Sequence, residues 1–276
     1  MHNFNLYNLL LFVFRRLLTV LCACHRWLRS ARPLPAPVPK RVVVYVLDSG
    51  VDLSHPVLKE YGGSVSLVWS GFSNLSDEEG HGTMVVGVVA KRVLQANIKV
   101  LKVLCDNDMD RRIFKNNVVA ALRYIQVTLD KEAINMVNIS LSIFSKTAIC
   151  LINELAELGC VTYVAAGNQS TLMNTTFGFD IARKFFIVGS LDLSENNIAW
   201  FSNRGAAVDA YAVGENIPTI APGGQETLER GTSFSAPLVL AYVACLCRNE
   251  KLTWETVKAI LDQKATEKKF LFIKDF

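Results

Sequence analysis

Six residues in a row, Val42-Val43-Val44-Tyr45-Val46-Leu47, carry no charged or strongly polar side chain. A strand with one solvated face alternates apolar and polar residues. A dense β-branched run instead belongs to a strand covered on both faces, the setting of a parallel sheet between two layers of helices. Cys160-Val161-Thr162-Tyr163-Val164-Ala165 has the same character. Helical spacing appears between and after these runs, at 115–129, 147–158 and 253–261. Gly159 stops the second of these and Thr253 suits the cap of the third. The apolar run 237–246 reads as a buried helix, and the residues after His81 as another. Strands alternating with helices specify βαβ units. No internal repeat is present.

At 276 residues, 51% hydrophobic and 20% charged, the chain can fill a sizeable two-sided core within one domain. Its net charge of +4 is too small and dispersed for a nucleic-acid partner. The pairs Arg111-Arg112 and Lys268-Lys269 read as solvated surface.

Four polar residues stand where such a fold exposes chemistry. Asp48 ends the first run, followed by Ser49-Gly50. Alone it reads first as an Asx turn, yet a carboxylate there also lies at the sheet rim, where open α/β folds bind ligands. His81, in Gly80-His81-Gly82-Thr83, opens a helix. The positive helix end disfavours imidazolium, which predicts a neutral ring able to act as a base. Asn168 closes the second run as Ala166-Gly167-Asn168 and is either a turn residue or an amide donor. Ser233, in Gly231-Thr232-Ser233-Phe234-Ser235-Ala236-Pro237, stands before an apolar helix. It is either a cap or a hydroxyl placed where negative charge is stabilised.

Together, and in this order, Asp48-Ser49-Gly50, His81-Gly82-Thr83, Ala166-Gly167-Asn168 and Gly231-Thr232-Ser233 resemble the four signature segments of the subtilisin-like serine proteases. Val51-Asp52-Leu53-Ser54-His55-Pro56, the segments 98–104, 137–141 and 185–190, and Trp200-Phe201-Ser202-Asn203-Arg204-Gly205 resemble further landmarks, so the likeness spans 41–262. It implies a three-layer α/β fold, a mostly parallel central sheet with helices on both faces. It implies a serine endopeptidase acting on polypeptide substrates, with neither cofactor nor catalytic metal. Asp48 would orient His81, His81 would take the proton of Ser233, and Asn168 with the Ser233 N–H would hold the oxyanion. Activity would then fall as His81 protonates in mildly acidic solution. Ala165, Ala166 and Gly167 would line one wall of the substrate pocket; Ser140, Leu141 and Ser142 would line the other and pair with extended substrate.

The chain departs from that pattern in places. Ser140-Leu141-Ser142-Ile143 stands where glycines are common, which implies a reshaped pocket. Gln169-Ser170 follows Asn168, and Phe234, bulkier than the usual methionine, is placed to crowd the oxyanion side. The stretch 90–98 lacks the insertion of a tight calcium site, so no metal requirement is expected from it. The main rival is therefore a catalytically weak relative that binds peptides without cutting them. A phosphate-transfer hydrolase built on Asp48 and Asp52 is a distant second, since it leaves His81, Asn168 and Ser233 unexplained.

Residues 1–40 read as a separate segment, leaving 41–276 as the catalytic domain. Apolar stretches at 6–14 and 17–24, split by Arg15-Arg16, are each shorter than the ~18–20 residues of a membrane span. They read as a signal, or as an anchor associating with membrane through 6–24, and hence a secreted or membrane-associated protein. Arg32-Pro33-Leu34-Pro35-Ala36-Pro37-Val38-Pro39 is a polyproline-like linker. Residues 1–40 read as too short to hold both a leader and the folding pro-segment common in the resembled family. Seven cysteines leave the compartment open: Cys22 and Cys24 fall in the leader, Cys245 and Cys247 in an apolar helix. Cys150 and Cys160 bracket a helix and are candidates for a bridge.

Overall fold

Val42–Asp48 forms strand β1, whose side chains alternate between two cores. Val42, Val44 and Val46 enter one hydrophobic cluster, Val43, Tyr45 and Leu47 the other. This is the two-sided burial that the run predicts. The computed structural model describes residues 42–60, 64–105, 110–142, 145–176, 181–246, 252–264 and 271–273. The leader and linker at 1–40, including Cys22 and Cys24, lie outside these residues, as do Ile143, Cys247 and the Lys268-Lys269 pair.

After β1 come a short helix α1 (Pro56–Glu60), strand β2 (Ser64–Ser70), helix α2 (His81–Arg92) and strand β3 (Asn97–Lys102). Helix α3 (Arg111–Thr128), strand β4 (Ile134–Ile139), helix α4 (Lys146–Glu157), strand β5 (Cys160–Ala165) and strand β6 (Phe186–Leu191) continue the alternation. Strands β7 (Ala210–Val213), β8 (Ile217–Ala221) and β9 (Gln225–Glu229), helices α5 (Thr232–Leu246) and α6 (Trp254–Lys264) and strand β10 (Leu271–Ile273) complete it. Eight strands form one sheet in the order β10-β7-β6-β5-β4-β1-β3-β2, every neighbouring pair parallel. Strands β8 and β9 make a separate antiparallel hairpin, which the Thr219 hydroxyl ties to the Met84 carbonyl in α2.

Helices α2, α5 and α6 bury their apolar side chains in the first cluster, α3 and α4 in the second, giving three layers. Helix α3 begins four residues ahead of the predicted 115, because the Asp110 carboxylate accepts from the Arg112 N–H at 2.7 Å and starts the helix there. Arg111 and Arg112 are exposed, as their surface reading requires. Helix α5 begins at Thr232, which places Pro237 inside the helix instead of at its start. Thr253 caps α6, its hydroxyl accepting from the Thr256 N–H at 3.2 Å. Cys150 is exposed in α4 and Cys160 is buried at the start of β5; both are free thiols, so no bridge joins them. Among the described residues no helix is long and apolar enough to cross a membrane.

Candidate active site

The sheet reverses its winding at β1. The chain leaves it outward through β2 and β3 on one side, then returns to build β4 to β7 on the other. Such a switch point opens a crevice at the carboxyl ends of the strands. Asp48 is the last residue of β1 and fully buried. Leu47 is in register with Ile139 of β4, and Ile139 with Val164 of β5. The residues that follow, Asp48, Ser140 and Ala165, therefore leave three adjacent strands at the same level.

His81 is the first residue of α2 and meets Asp48 from above. Its Nδ1 lies 2.7 Å from Asp48 Oδ1, the separation of a ring N–H donating to a carboxylate. Two close contacts set this geometry. The backbone of α2 presses on the turn after β1, where a side chain on Gly82 would fall 2.2 Å from the Gly50 carbonyl oxygen. The Ser49 hydroxyl, from the same turn, accepts from the Gly82 N–H at 2.8 Å.

Asp77 locks this junction, a role absent from the sequence reading. Its Oδ1 accepts from the Ser49 hydroxyl at 2.7 Å and the Gly80 N–H at 3.0 Å. Its Oδ2 accepts from the Thr83 N–H at 2.7 Å and the Thr83 hydroxyl at 2.5 Å. The pattern Asp77 to Gly80-His81, a carboxylate just ahead of a helix start, was the signal available for it.

These carboxylates reverse the expected protonation of His81. Burial disfavours the imidazolium, as the helix end does, but the charge and hydrogen bond of Asp48 outweigh both, with Glu79 and Asp77 adding to them. The imidazole is pushed up to about 9. A bare helix N-terminus favours the neutral ring; the Asp48 carboxylate, helped by Glu79 and Asp77, acts in the opposite direction.

Ser233 is the second residue of α5 and nearly buried. Its hydroxyl donates to the Ser140 carbonyl at 3.2 Å, and the Ser140 hydroxyl donates to the Ser233 carbonyl at 2.6 Å. The amide of Asn138 donates to the Ser140 hydroxyl at 2.9 Å and holds it in place. Phe234, the next residue along, is buried with its ring 5.8 Å from that of His81. It packs beside the imidazole.

Asn168 is exposed beyond β5, and its Oδ1 accepts from the N–H and hydroxyl of Thr232 at 2.9 and 3.0 Å. Its Nδ2 stands beside Gly231, the residue ahead of α5. Gly231, at φ 138°, passes so close that an added side chain would lie 3.2 Å from that Nδ2. Thr232 also takes the Gly167 N–H on its hydroxyl at 3.0 Å. Asn203 secures the loop from below, its Oδ1 accepting from the N–H groups of Gln169 and Thr171. Neither Thr232 nor Asn203 was singled out as a support from the sequence.

Of the other candidate residues, Ser140 is buried while Leu141 and Ser142 are half-buried. Ala165 and Ala166 put their side chains into the two opposite cores, and Gly167 is partly open.

The model of the subtilase family matches residues 39–274. Subtilisin of Bacillus pumilus is 30% identical over 234 residues, covering 82% of this chain and 84% of that protein. Subtilisin-like protease 6 of Trichophyton schoenleinii is 30% identical over 222 residues, 75% of this chain and 53% of its own length. The chain spans about half the length of several curated relatives it matches. Among solved structures, a cold adapted subtilisin-like serine proteinase superposes with a TM-score of 0.70 at 24% identity, over 85% of this chain and 89% of that one. The family match and these relatives show that the chain belongs to the subtilase family.

Proposed function

We propose that the protein is a serine endopeptidase that cuts polypeptides through an acyl-enzyme. The observation that carries this reading is the 2.7 Å pairing of His81 with Asp48, beside the helix start that bears Ser233. The Ser233 hydroxyl leaves the Ser140 carbonyl by rotation about its side-chain bond and gives its proton to His81 Nε2 as Oγ attacks the peptide carbonyl carbon. Asp48 stabilises the imidazolium. Asn168 Nδ2 and the Ser233 N–H donate to the oxyanion. The imidazolium then passes the proton to the leaving nitrogen, the C–N bond breaks, and water repeats the sequence on the ester. Extended substrate would lie between Ser140-Leu141-Ser142 and Ala165-Ala166-Gly167, pairing with them as a strand.

A fluorophosphonate probe tests this. Covalent labelling of the wild type, absent in Ser233→Ala, is the expected result; folded wild-type protein that stays unlabelled overturns it. One observation favours a second reading, that of a relative that binds peptides without turnover. The Ser233 hydroxyl bonds the Ser140 carbonyl and not the ring of His81. The same labelling separates the two. Export belongs to the proposal as well, resting on the apolar residues 17–24 behind Arg15-Arg16. N-terminal sequencing of protein recovered from the medium checks it.

A further inference from the structure

Trp200 is 68% exposed, the most open aromatic side chain among the core and surface apolar groups described. The guanidinium of Arg230 lies 5.7 Å from its ring centroid, within cation–π range. Arg230 is itself exposed, and among the described residues it has no carboxylate partner. The neighbouring Glu229 turns its carboxylate to the Thr227 hydroxyl at 3.1 Å. A stacked but unneutralised arginine on an open indole is a ready surface for a carboxylate lying along an apolar stem.

The position of this pair gives it meaning. Arg230 precedes Gly231, which crowds Asn168, and stands three residues before Ser233. Trp200 is anchored from beneath by buried Phe201, edge to face at 5.6 Å. The Phe201 carbonyl accepts from the Ser170 N–H at 2.8 Å, which ties the segment bearing Trp200 to the Asn168 loop. Along the strand ends Ser140 follows β4, Asn168 follows β5, and Trp200 lies in the connection from β6 to β7. The acyl half of a substrate, held between the β4 and β5 ends, leaves the far side of Asn168 to the half that departs.

We propose that Trp200 and Arg230 form a specificity ledge that selects an acidic side chain in the substrate segment carboxyl-terminal to the scissile bond. The inference rests on the endopeptidase reading. The test uses the full chain with quenched fluorogenic peptides that differ only by Glu, Gln or Lys at the first and second positions after the scissile bond. Wild type should cleave the Glu peptides with a kcat/KM about threefold or more above the Lys peptides, the scale of an exposed ion pair. Arg230→Glu, with an unchanged melting curve, should invert that order, and Trp200→Ala should flatten it mainly through KM. An order that is the same in wild type and Arg230→Glu overturns the ledge while leaving the protease reading in place. If wild type neither cleaves nor takes the fluorophosphonate, the protease reading falls. The ledge is then judged on binding of the same peptides to Ser233→Ala: acidic preference lost with Arg230→Glu supports it, and indifference to charge overturns it.

Discussion

Ser140 and Ser233 hold each other twice, each hydroxyl donating to the other's carbonyl, at 2.6 and 3.2 Å. The shorter bond answers a vacancy written into the sequence. Pro237 lies inside α5 and has no N–H for the carbonyl four residues earlier, which is that of Ser233. The Ser140 hydroxyl fills this place and ties the end of β4 to the helix that presents the proposed nucleophile. Ser140→Ala should therefore orphan a buried carbonyl and cost about 1–3 kcal/mol, seen as a lower urea midpoint at constant m. Adding Pro237→Ala restores an N–H and should recover part of that loss. A double variant no more stable than Ser140→Ala alone would show that the proline is unrelated to the bond.

The raised imidazole of His81 sets a pH dependence with a definite sign. Its value near 9 lies above the ordinary 6.5. Peptide hydrolysis should thus climb through alkaline pH with a midpoint near 9, in place of the mildly acidic limb that the family resemblance implies. The stabilisation from the Asp48 pair is fully present below about pH 6.5 and is lost as pH rises through about 9. Asp48→Asn removes the dominant influence holding the proton and leaves burial in force, so the midpoint should drop below 6.5 while kcat falls by about 10⁴. Rate profiles and denaturation midpoints measured from pH 5 to 10 check both halves. A midpoint that stays put in Asp48→Asn would refute the assignment.

The parts of this fold that depend on period were legible from residues alone. The run 42–47 predicts its own two-sided burial, and 160–165 predicts β5 to the residue. Edge strand β2 and the β8–β9 hairpin were not legible, because none of the three has a continuous apolar run, and β2 and β9 are also half-buried or exposed. Asp48, His81, Asn168 and Ser233 stood out through motifs. Asp77 and Asn203 did not: each bonds irregular or distant backbone, a relation with no sequence period, and only the place of Asp77 just ahead of a helix start points to its role. The direction of the His81 shift is hidden for a related reason: the helix end is local in the sequence, whereas Asp48, the carboxylate that raises the ring most, lies 33 positions away.

Asp77 gives this junction its strength, and its removal should be costly. Four donors converge on one nearly buried carboxylate. Asp77→Ala leaves them facing an apolar gap, with an expected loss of about 3 kcal/mol or more. Asp77→Asn keeps one acceptor but turns an NH₂ toward other donors, and should lie between the two. Because Asp77 positions His81 and does not touch substrate, the surviving activity should fall in kcat with little change in KM. The His81 midpoint should also move down, since one of the charges that raises it is gone. An Asp77→Ala protein as stable as wild type, with its pH profile unmoved, would remove the residue from this role.

Asn168 has two functions that its atoms keep apart. Oδ1 holds the start of α5 through Thr232, and Nδ2 is proposed to meet the oxyanion. That charge exists only once the carbonyl is attacked, so Asn168→Ala should lower kcat with KM nearly unchanged. A fall of about 10²–10³ is the size seen when subtilisin itself loses one such donor. The same substitution strips a cap and should cost about 1 kcal/mol of stability. Thr232→Ala separates the two, since it loses the hydroxyl bonds to Gly167 and Asn168 while leaving Nδ2 in place. It should reproduce the stability loss with a far smaller effect on kcat. Equal falls in kcat for both variants would mean that Asn168 acts by positioning the helix start, and that the oxyanion is held by backbone alone.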